Sequence, residues 1–552
     1  MHTLARVKAN TKATVSLERE NQALRQQVAK LEKDLSALQS KLQLLLKRRF
    51  GPSSEQLHPG QLELFDAAAA TASSEAKPAE EETITYRRKK VRPGHGRAGF
   101  PEDLPRNDIA IDPPEHERVC SCCSKALVRI RSEVTERGDV KPVQIVINRY
   151  TRGVWACADG CSAPKTAELP SSVVAKAKWE PSAYAHVAIT KYADHQPLHR
   201  QAEIFLRNGV GLPKSTLCDM ALATGYAVRF IADRVRIELL TAPVLLADET
   251  PIQFAIEMEA GRRKKRKFKT GYLWVYRTPD GDRVAFCFTT SRSRAGPIAF
   301  LGDWRGTLLT DEYSGYDEAC RTNRIVRAFC WAHARRRVID ALDSRPEEAA
   351  EALRLINALF RIEAAIDARL ERIKGRAELA GLPSMSGDDA ARVRLAARQR
   401  WSSKVVDELR EKLVAWRDDR SIVPKSLFGV AVRYLLPEAP RHATWNAFTV
   451  FLENGHVPLH NNGAENSIRP SVIGRKNWLF AGSVSGGDTA AIMYSLLLTC
   501  RALGVNPEEY LTDVLSRLDR DTPEQLTPWA WKREREARHA RATEAGSPNP
   551  TA

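Results

Sequence analysis

Two apolar runs end on the same acidic pair: Leu245-Leu246-Ala247-Asp248-Glu249 and Leu308-Leu309-Thr310-Asp311-Glu312, 311 − 248 = 63 residues apart. Short apolar runs of this kind read as buried strands. Side chains alternate faces along a strand, so Asp248 and Glu249 should diverge, as should Asp311 and Glu312. The plain reading is two strands that stop where water begins. The sharper reading is two arms of a cation site, because two close carboxylates repel unless a proton or cation lies between them. Mg²⁺ and Mn²⁺, hard ions that take oxygen ligands, resolve that repulsion.

The residues between and around these runs set the fold class. Residues 244–249 (VLLADE), 271–278 (GYLWVYRT) and 283–290 (RVAFCFTT) read as three strands. A helix near 294–302, a fourth strand in GTLLTDEY (306–313) and a fifth in RIVRAFCWAH (324–333) follow. That order is the order of a ribonuclease-H-like α/β core, in which the first and fourth strands lie side by side and bring Asp248 to Asp311. Residues 345–420, rich in Leu, Ala, Arg and Glu, read as a helical insertion with Gly381-Leu382-Pro383 at its turn. A mixed segment, 444–500, follows, and the charged tail after Trp531 is expected to fray.

A third carboxylate comes from residues 460–470, HNNGAENSIRP. Asn461 or Asn462 suits an N-cap, which puts Glu465 in the first turn of a helix. Ile468 would anchor that helix, and Pro470 should limit or kink it soon after. The plain reading of Glu465 is an i,i+4 pair with Arg469, worth a few tenths of a kcal/mol. Beside two strand-end aspartates, a third arm is the stronger reading.

The flanking regions point to nucleic acid. Lys and Arg number 85 against 68 Asp and Glu, a net charge of +17, which favours a polyanionic partner. Leu17, Leu24, Leu31, Leu38 and Leu45 recur every seven residues, with Asn21, Val28, Leu35 and Leu42 interleaved. That is a heptad register expected to pair protomers as a parallel zipper, with Asn21 fixing its register. A single amphipathic helix packed on the body is the alternative. Residues 67–82 read as a linker, and Arg87, Arg88, Lys89 and Lys90 as a basic arm for phosphates or simply a solvated charge run.

Cys120 and Cys123, with Cys157 and Cys161, give two short pairs suited to a tetrahedral Zn²⁺ site. Cys122 stands as an alternative ligand to Cys120. Residues 181–224 read as helices broken at Asn208-Gly209-Val210-Gly211. They suit either a helix-turn-helix, with Arg200, Arg207 and Lys214 near DNA, or plain helix packing. No apolar run approaches the roughly 20 residues that span a bilayer, and the N-terminal residues lack the apolar core of a signal peptide. The expected location is the cytoplasm, at the bacterial nucleoid.

Several motifs in order carry a family resemblance: DET (248–250), TDEYSGY (310–316), CWAHARRR (330–337), NNGAENSIRP (461–470) and GRKNWLFAGS (474–483). Together with RRFGPSSEQL (48–57), KYADHQPLHRQ (191–201), the zipper and the Cys pairs, they make the chain resemble the DDE transposases of the insertion sequence 66 family over nearly its whole length. The resemblance implies Asp248, Asp311 and Glu465 as the catalytic triad. It implies two Mg²⁺ or Mn²⁺ ions, Asp248 bridging both and Asp311 and Glu465 each completing one site. The implied reaction is hydrolysis at the transposon end to free a 3′-OH, which then attacks target DNA. Arg469, Arg475, Lys476 and Trp478 follow Glu465 and would hold phosphates and stack a base, or else serve packing and solubility.

His460 stands where the family commonly has Asp, and Cys330 with His333 occupies a cysteine/histidine signature. Two ligands do not complete a zinc site, which favours a structural or DNA-contacting role for that pair. The expected organisation is a zipper (1–50), a linker and basic arm (51–112), a zinc module (113–170) and a helical domain (171–240). The catalytic core (241–340 and 441–505) follows, interrupted by a helical insertion (341–440) and ending in a helical tail (506–552). Implied partners are transposon-end and target DNA, a second copy or higher oligomer through the zipper, and accessory proteins encoded by the same element. A ribonuclease-H-like regulator that binds DNA without transposing it, or a nuclease on the same core, is the rival reading.

Overall fold

The computed structural model describes residues 177–544 apart from 261–262, 384 and 438–443, and before them 172–174, 165–166, 154–155 and positions 145, 148 and 150. The heptad segment, the basic arm with Arg87, Arg88, Lys89 and Lys90, and Cys120, Cys123, Cys157 and Cys161 lie outside the described residues. Two short strands, β1 (Val154–Trp155) and β2 (Lys165–Thr166), pair antiparallel and flank the second Cys pair in the sequence. The described residues from 168 onward belong to one compact unit, separate from the unit that holds β1 and β2.

That larger unit is built on a sheet of β3 (Val244–Ala260), β4 (Arg263–Arg277), β5 (Val284–Thr289), β6 (Thr307–Thr310) and β7 (Val326–Phe329). Their spatial order is β5-β4-β3-β6-β7. β3–β4 and β4–β5 are antiparallel, whereas β3–β6 and β6–β7 are parallel. The crossover from β5 to β6 carries α5 (Ala295–Leu301), the helical connection a parallel pair requires. The first and fourth strands of the sheet are therefore neighbours, with Leu246 opposite Leu309.

Period-two alternation divides the strand residues between two cores. Leu245 and Ala247 join Trp274, Tyr276, Phe300, Leu308 and Tyr316 on one face. Val244 and Leu246 turn to the other, where Leu246 meets Gly463 of α13 (Asn462–Trp478). The outer edge of β5 is closed by α14 (Val484–Ala502). Phe286 N donates to Ser495 Oγ at 2.7 Å, and Val284 N donates to Thr499 Oγ1 at 3.2 Å. Side-chain oxygens thus satisfy an edge that would otherwise invite pairing with another chain. A two-residue strand, β8 (Phe480–Ala481), adds to β3 at Gln253–Phe254.

Four helices precede the sheet: α1 (Pro181–Tyr192), α2 (Leu198–Arg207), α3 (Lys214–Ala227) and α4 (Arg229–Leu239). These helices pack on one another and on the rest of the unit, which either reading of this region allows. Six residues separate α2 from α3, and α3 lies against α1 and α14 instead of standing free. Leu217, Met220, Ala221 and Thr224 of α3 are buried, and Gly225 presses on the Thr489 side chain. Arg200, Arg207 and Lys214 are exposed.

Between β7 and α13 the chain is helical: α6 (Asp317–Asn323) precedes β7, and α7 (Trp331–Ile339), α8 (Pro346–Leu379), α9 (Gly387–Ala397), α10 (Ser403–Asp418), α11 (Leu427–Leu435) and α12 (Thr444–Thr449) follow it. Gly381, at φ +65°, provides the turn after α8. Arg398, fully buried, ties this insertion to the body. It pairs with Glu363 at 2.5 Å and donates to the carbonyls of Phe451 and Val457.

Two expectations are corrected. α13 does not stop near Pro470 but continues to Trp478. An interior proline forfeits its own N–H bond and crowds the carbonyl four residues back, a cost that packing on β3, β4 and α1 outweighs. The tail after Trp531 does not fray at that point either: α16 (Pro528–Glu544) runs on. It is held by α15 (Pro507–Leu515) and neighbouring loops, through Arg535–Glu509 at 2.9 Å, Glu534–Arg517 at 3.0 Å and Lys532 Nζ to Leu503 O at 2.8 Å.

Candidate active site

β3 does not stop at its acidic pair, as the sequence suggested: Asp248 lies inside it, opposite Val275 of β4 and two residues past the last pair with β6, whereas Asp311 follows the last residue of β6. The alternation that turns Leu246 toward α13 turns Asp248 the same way. Glu465 lies in the first turn of α13, with Ile468 buried one turn on. Desolvation pushes the Asp248 carboxyl well above the usual carboxylate range, and the charges of Glu249, Asp311 and Glu465 push it further, against a lowering hydrogen bond from Glu249 N at 2.8 Å. Asp311 Oδ1 accepts from Tyr313 N at 3.0 Å. Three acidic groups thus gather beside the β3–β6 pair. Their oxygens are not mutually within 4.8 Å, since the group that meets that limit among the described residues is Cys330, His333 and Glu465.

Glu249 faces the opposite core, as alternation requires, but is not a plain strand-end carboxylate. Its side chain is only 3% exposed. It accepts from Arg292 Nε at 2.9 Å and Tyr316 Oη at 2.9 Å. Burial raises its pKa, while Arg292 and Tyr316 hold it down. The Arg292 guanidinium in turn lies 3.9 Å over the Tyr313 ring, so the loop after Asp311 is fastened to the strand of Asp248 through Glu249.

Asn461, 1% exposed, is the junction of the site. Its Nδ2 donates to Ala247 O at 2.8 Å, one residue before Asp248, and its backbone N–H donates to Cys330 Sγ at 3.1 Å. Cys330 is a neutral thiol, pushed up to about 12 by burial. The Cys330 backbone N–H donates to Thr310 O at 3.1 Å, beside Asp311. One Cys–Asn contact therefore links β3 and the end of β6 to the start of α13. His333 Nδ1 stands 3.7 Å from Glu465 Oε1. Glu465 pairs with that histidine and not with Arg469, which is exposed. Arg277 completes the bracing: its NH1 donates to Gly463 O at 3.0 Å and Ser467 Oγ at 3.3 Å. His460 stacks on Phe360 of the insertion, 6.1 Å between ring centroids, and burial lowers its pKa.

The residues after Glu465 have separate fates. Arg475 turns onto β3, donating to Thr250 Oγ1 at 2.7 Å and to Pro251 O. Lys476 is exposed. Trp478 lies under Lys191, whose Nζ is 4.6 Å from the ring centroid. Reading by sequence missed Asn461 as a tie between strands, Glu249 as a buried anchor, and Arg277. The Asn461 and Arg277 contacts cross 214 and 186 residues, so no local pattern announces them.

The donor set suits hard divalent cations. It is mainly carboxylate, it concentrates charge that raises the Asp248 pKa, and it leaves Glu465 Oε1 and Asn461 Oδ1 buried without hydrogen-bond partners. An acidic cluster where β3 parts from its parallel neighbour β6, completed from a helix N-terminus, defines the class: an α/β protein with a carboxylate-rich site.

Comparison with known proteins makes this specific. Residues 176–489 match the family model described as "Transposase IS66 family", and 495–529 the "IS66 C-terminal element". Residues 117–159 match the "zinc-finger binding domain of transposase IS66", and 37–109 a leucine-zipper model described as "Transposase C of IS166 homeodomain". The chain belongs to the IS66 family of transposases. Among curated relatives, three uncharacterized proteins of Sinorhizobium fredii are similar. y4hP is 30% identical over 519 residues, covering 90% of this chain and 89% of its own. y4jD is 29% identical over 454 residues, 79% of this chain and 82% of its own. y4qI is 30% identical over 458 residues, 79% and 77% respectively. Among the described residues no helix is long and apolar enough to cross a membrane.

Proposed function

We propose that this protein binds the ends of an insertion sequence and catalyses metal-dependent strand cleavage and strand transfer on DNA, with a ribonuclease-H-like core as its catalytic domain. The observation that carries the reading is the convergence of Asp248, Asp311 and Glu465 beside the β3–β6 pair, with the Asp248 carboxyl pushed well up by burial first and by its acidic neighbours second. These three residues would hold Mg²⁺ or Mn²⁺. Bound ions of this kind polarise phosphoryl oxygens and supply a nucleophile from water at neutral pH.

The chain's own groups do the positioning. Cys330 and Asn461 fix the start of α13 against β3, so Glu465 approaches Asp248 from a braced helix turn. His333 flanks the Glu465 oxygen at 3.7 Å. Cleavage at the element's end breaks a P–O bond and leaves a 3′-OH; in strand transfer that hydroxyl forms a new P–O bond in the target and a target 3′-OH departs. Cys120, Cys123, Cys157 and Cys161 would hold a structural Zn²⁺ in the zinc-finger region, and the heptad segment would pair two protomers.

The test is incubation of an end duplex with Mg²⁺ and either the wild-type chain or Asp248→Ala. The expected result is a nicked or cut strand only with the wild type, a loss of at least 10³-fold in the variant, and equal binding by both. Binding without cutting by the wild type would sink the enzyme reading in favour of a DNA-binding regulator. Cutting that ignores the end sequence would favour a nuclease.

A further inference from the structure

β3 and β4 pair continuously from Leu246↔Arg277 out to Ala260↔Arg263. Their neighbours stop far sooner. β6 pairs only to Leu246, β5 only to Tyr272, and β8 covers only Gln253 and Phe254. Beyond that point, among the described residues, β3 and β4 form a two-stranded ribbon extending out of the sheet that carries Asp248. A two-stranded ribbon in water is marginally stable on its own. This one also carries unbalanced charge: between 251 and 270 the sequence has seven cations (Arg262, Arg263, Lys264, Lys265, Arg266, Lys267, Lys269) against two carboxylates (Glu257, Glu259). Residues 266–270 are all exposed, on both faces of the ribbon. Its root is fixed, because Phe268 packs edge-on against Phe480 at 4.6 Å and Arg475 grips Thr250.

We propose that this ribbon is a second DNA-contacting arm, docking on the phosphates of the duplex that flanks the reaction point. The inference rests on the reading of the acidic cluster as a DNA-processing site. The partner follows from charge and continuity: cations on a ribbon rooted in the same two strands as Asp248 meet whatever polyanion enters there. The B-form major groove admits a two-stranded ribbon. Arg266, Lys267 and Lys269 pair with Glu257, Ile256 and Phe254, six to nine residues beyond Asp248. At about 3.3 Å per residue that is roughly 20–30 Å, or about 6–9 base pairs at 3.4 Å each. Lys267 and Lys269 share one face and Arg266 the other, so the arm presents charge to both walls of a groove.

The test uses the full chain and a labelled element-end duplex, with affinity measured across a salt series for the wild type and the triple variant Arg266→Gln/Lys267→Gln/Lys269→Gln. Each phosphate contact contributes about 0.9 to the slope of log affinity against log salt. The triple variant is expected to lose about 2 to 3 from that slope and at least tenfold in affinity at low salt. Its footprint should shrink about 6–9 base pairs from the cleavage point. A charge-preserving swap, Arg266→Lys/Lys267→Arg/Lys269→Arg, should restore both. An unchanged slope in the triple variant overturns the arm while leaving the cleavage reading intact, as does a swap that fails to rescue. A wild-type chain that binds no duplex overturns both.

Discussion

Asn461 is the residue on which the geometry of the acidic cluster turns, because its side chain and its backbone bond to different elements. Replacing it with Ala leaves Ala247 O without its 2.8 Å donor in a fully buried place. An unsatisfied buried group of this kind costs about 1–3 kcal/mol. Asn461→Ala should lower the unfolding free energy by that amount, seen as a lower urea midpoint at unchanged m, and slow strand cleavage at least tenfold, with duplex affinity kept. A variant that cuts at the wild-type rate would remove Asn461 from the positioning of Asp248. The three acidic residues themselves were legible in the sequence, two as apolar runs that end on a carboxylate and one as a first-turn glutamate. Asn461 was read only as a helix cap, and the helix does begin there. Its side chain bonds to β3 instead, a contact that depends on how distant segments are brought together.

At the level of elements, close approach sets the packing of α3 on α14. A Cβ at Gly225 would fall 2.6 Å from Thr489 Cγ2 and 2.9 Å from its Oγ1, and Thr489 is itself buried. Gly225→Ala should therefore destabilise the protein by about 1–3 kcal/mol, despite the better helix propensity of alanine. Adding Thr489→Ala should recover much of that loss, giving a coupling measurable in a double-mutant cycle. Additive effects would show that the two helices are not in tight contact. The strands of the sheet were legible from alternation where one face is buried. Their extension to Ala260 and Arg263 was not: the β4 half begins as a run of cations without apolar alternation, and the alternation of Phe254, Ile256 and Met258 on the β3 half went unread. The length of α13 was misjudged for a related reason: proline is a local signal, and tertiary packing overrode it.

Over the whole molecule, the N-terminal helices and the C-terminal part meet at a half-buried cation. Lys191 of α1 lies against Trp478 at the end of α13, and burial lowers its pKa to about 8. The folded value is below the ordinary 10.5, so between about pH 8 and 10.5 the unfolded chain holds more protons and stability rises with pH. Below pH 8 the full cost of burying the charge is present. A shift of this size corresponds to roughly 3 kcal/mol, of which the ring contact returns about 1. Lys191→Met should be more stable than the wild type at pH 7 by about 2 kcal/mol, with the gap closing by pH 10. Denaturant titrations at the two pH values check it, and a gap independent of pH would refute it.

The parallel pairing of β3 with β6 also has a consequence in time. The ribosome delivers Asp248 first and Glu465 only 465 − 248 = 217 residues later, with the helical insertion made in between. At about 5–20 residues per second, a nascent chain spends on the order of ten to forty seconds with the first aspartate made and the glutamate still missing. Throughout that interval the regions matched by the zipper and zinc-finger models are already complete. On the proposed function, translation order gives a chain its recognition modules before its third acidic residue, and any product truncated ahead of α13 stays fixed at that stage.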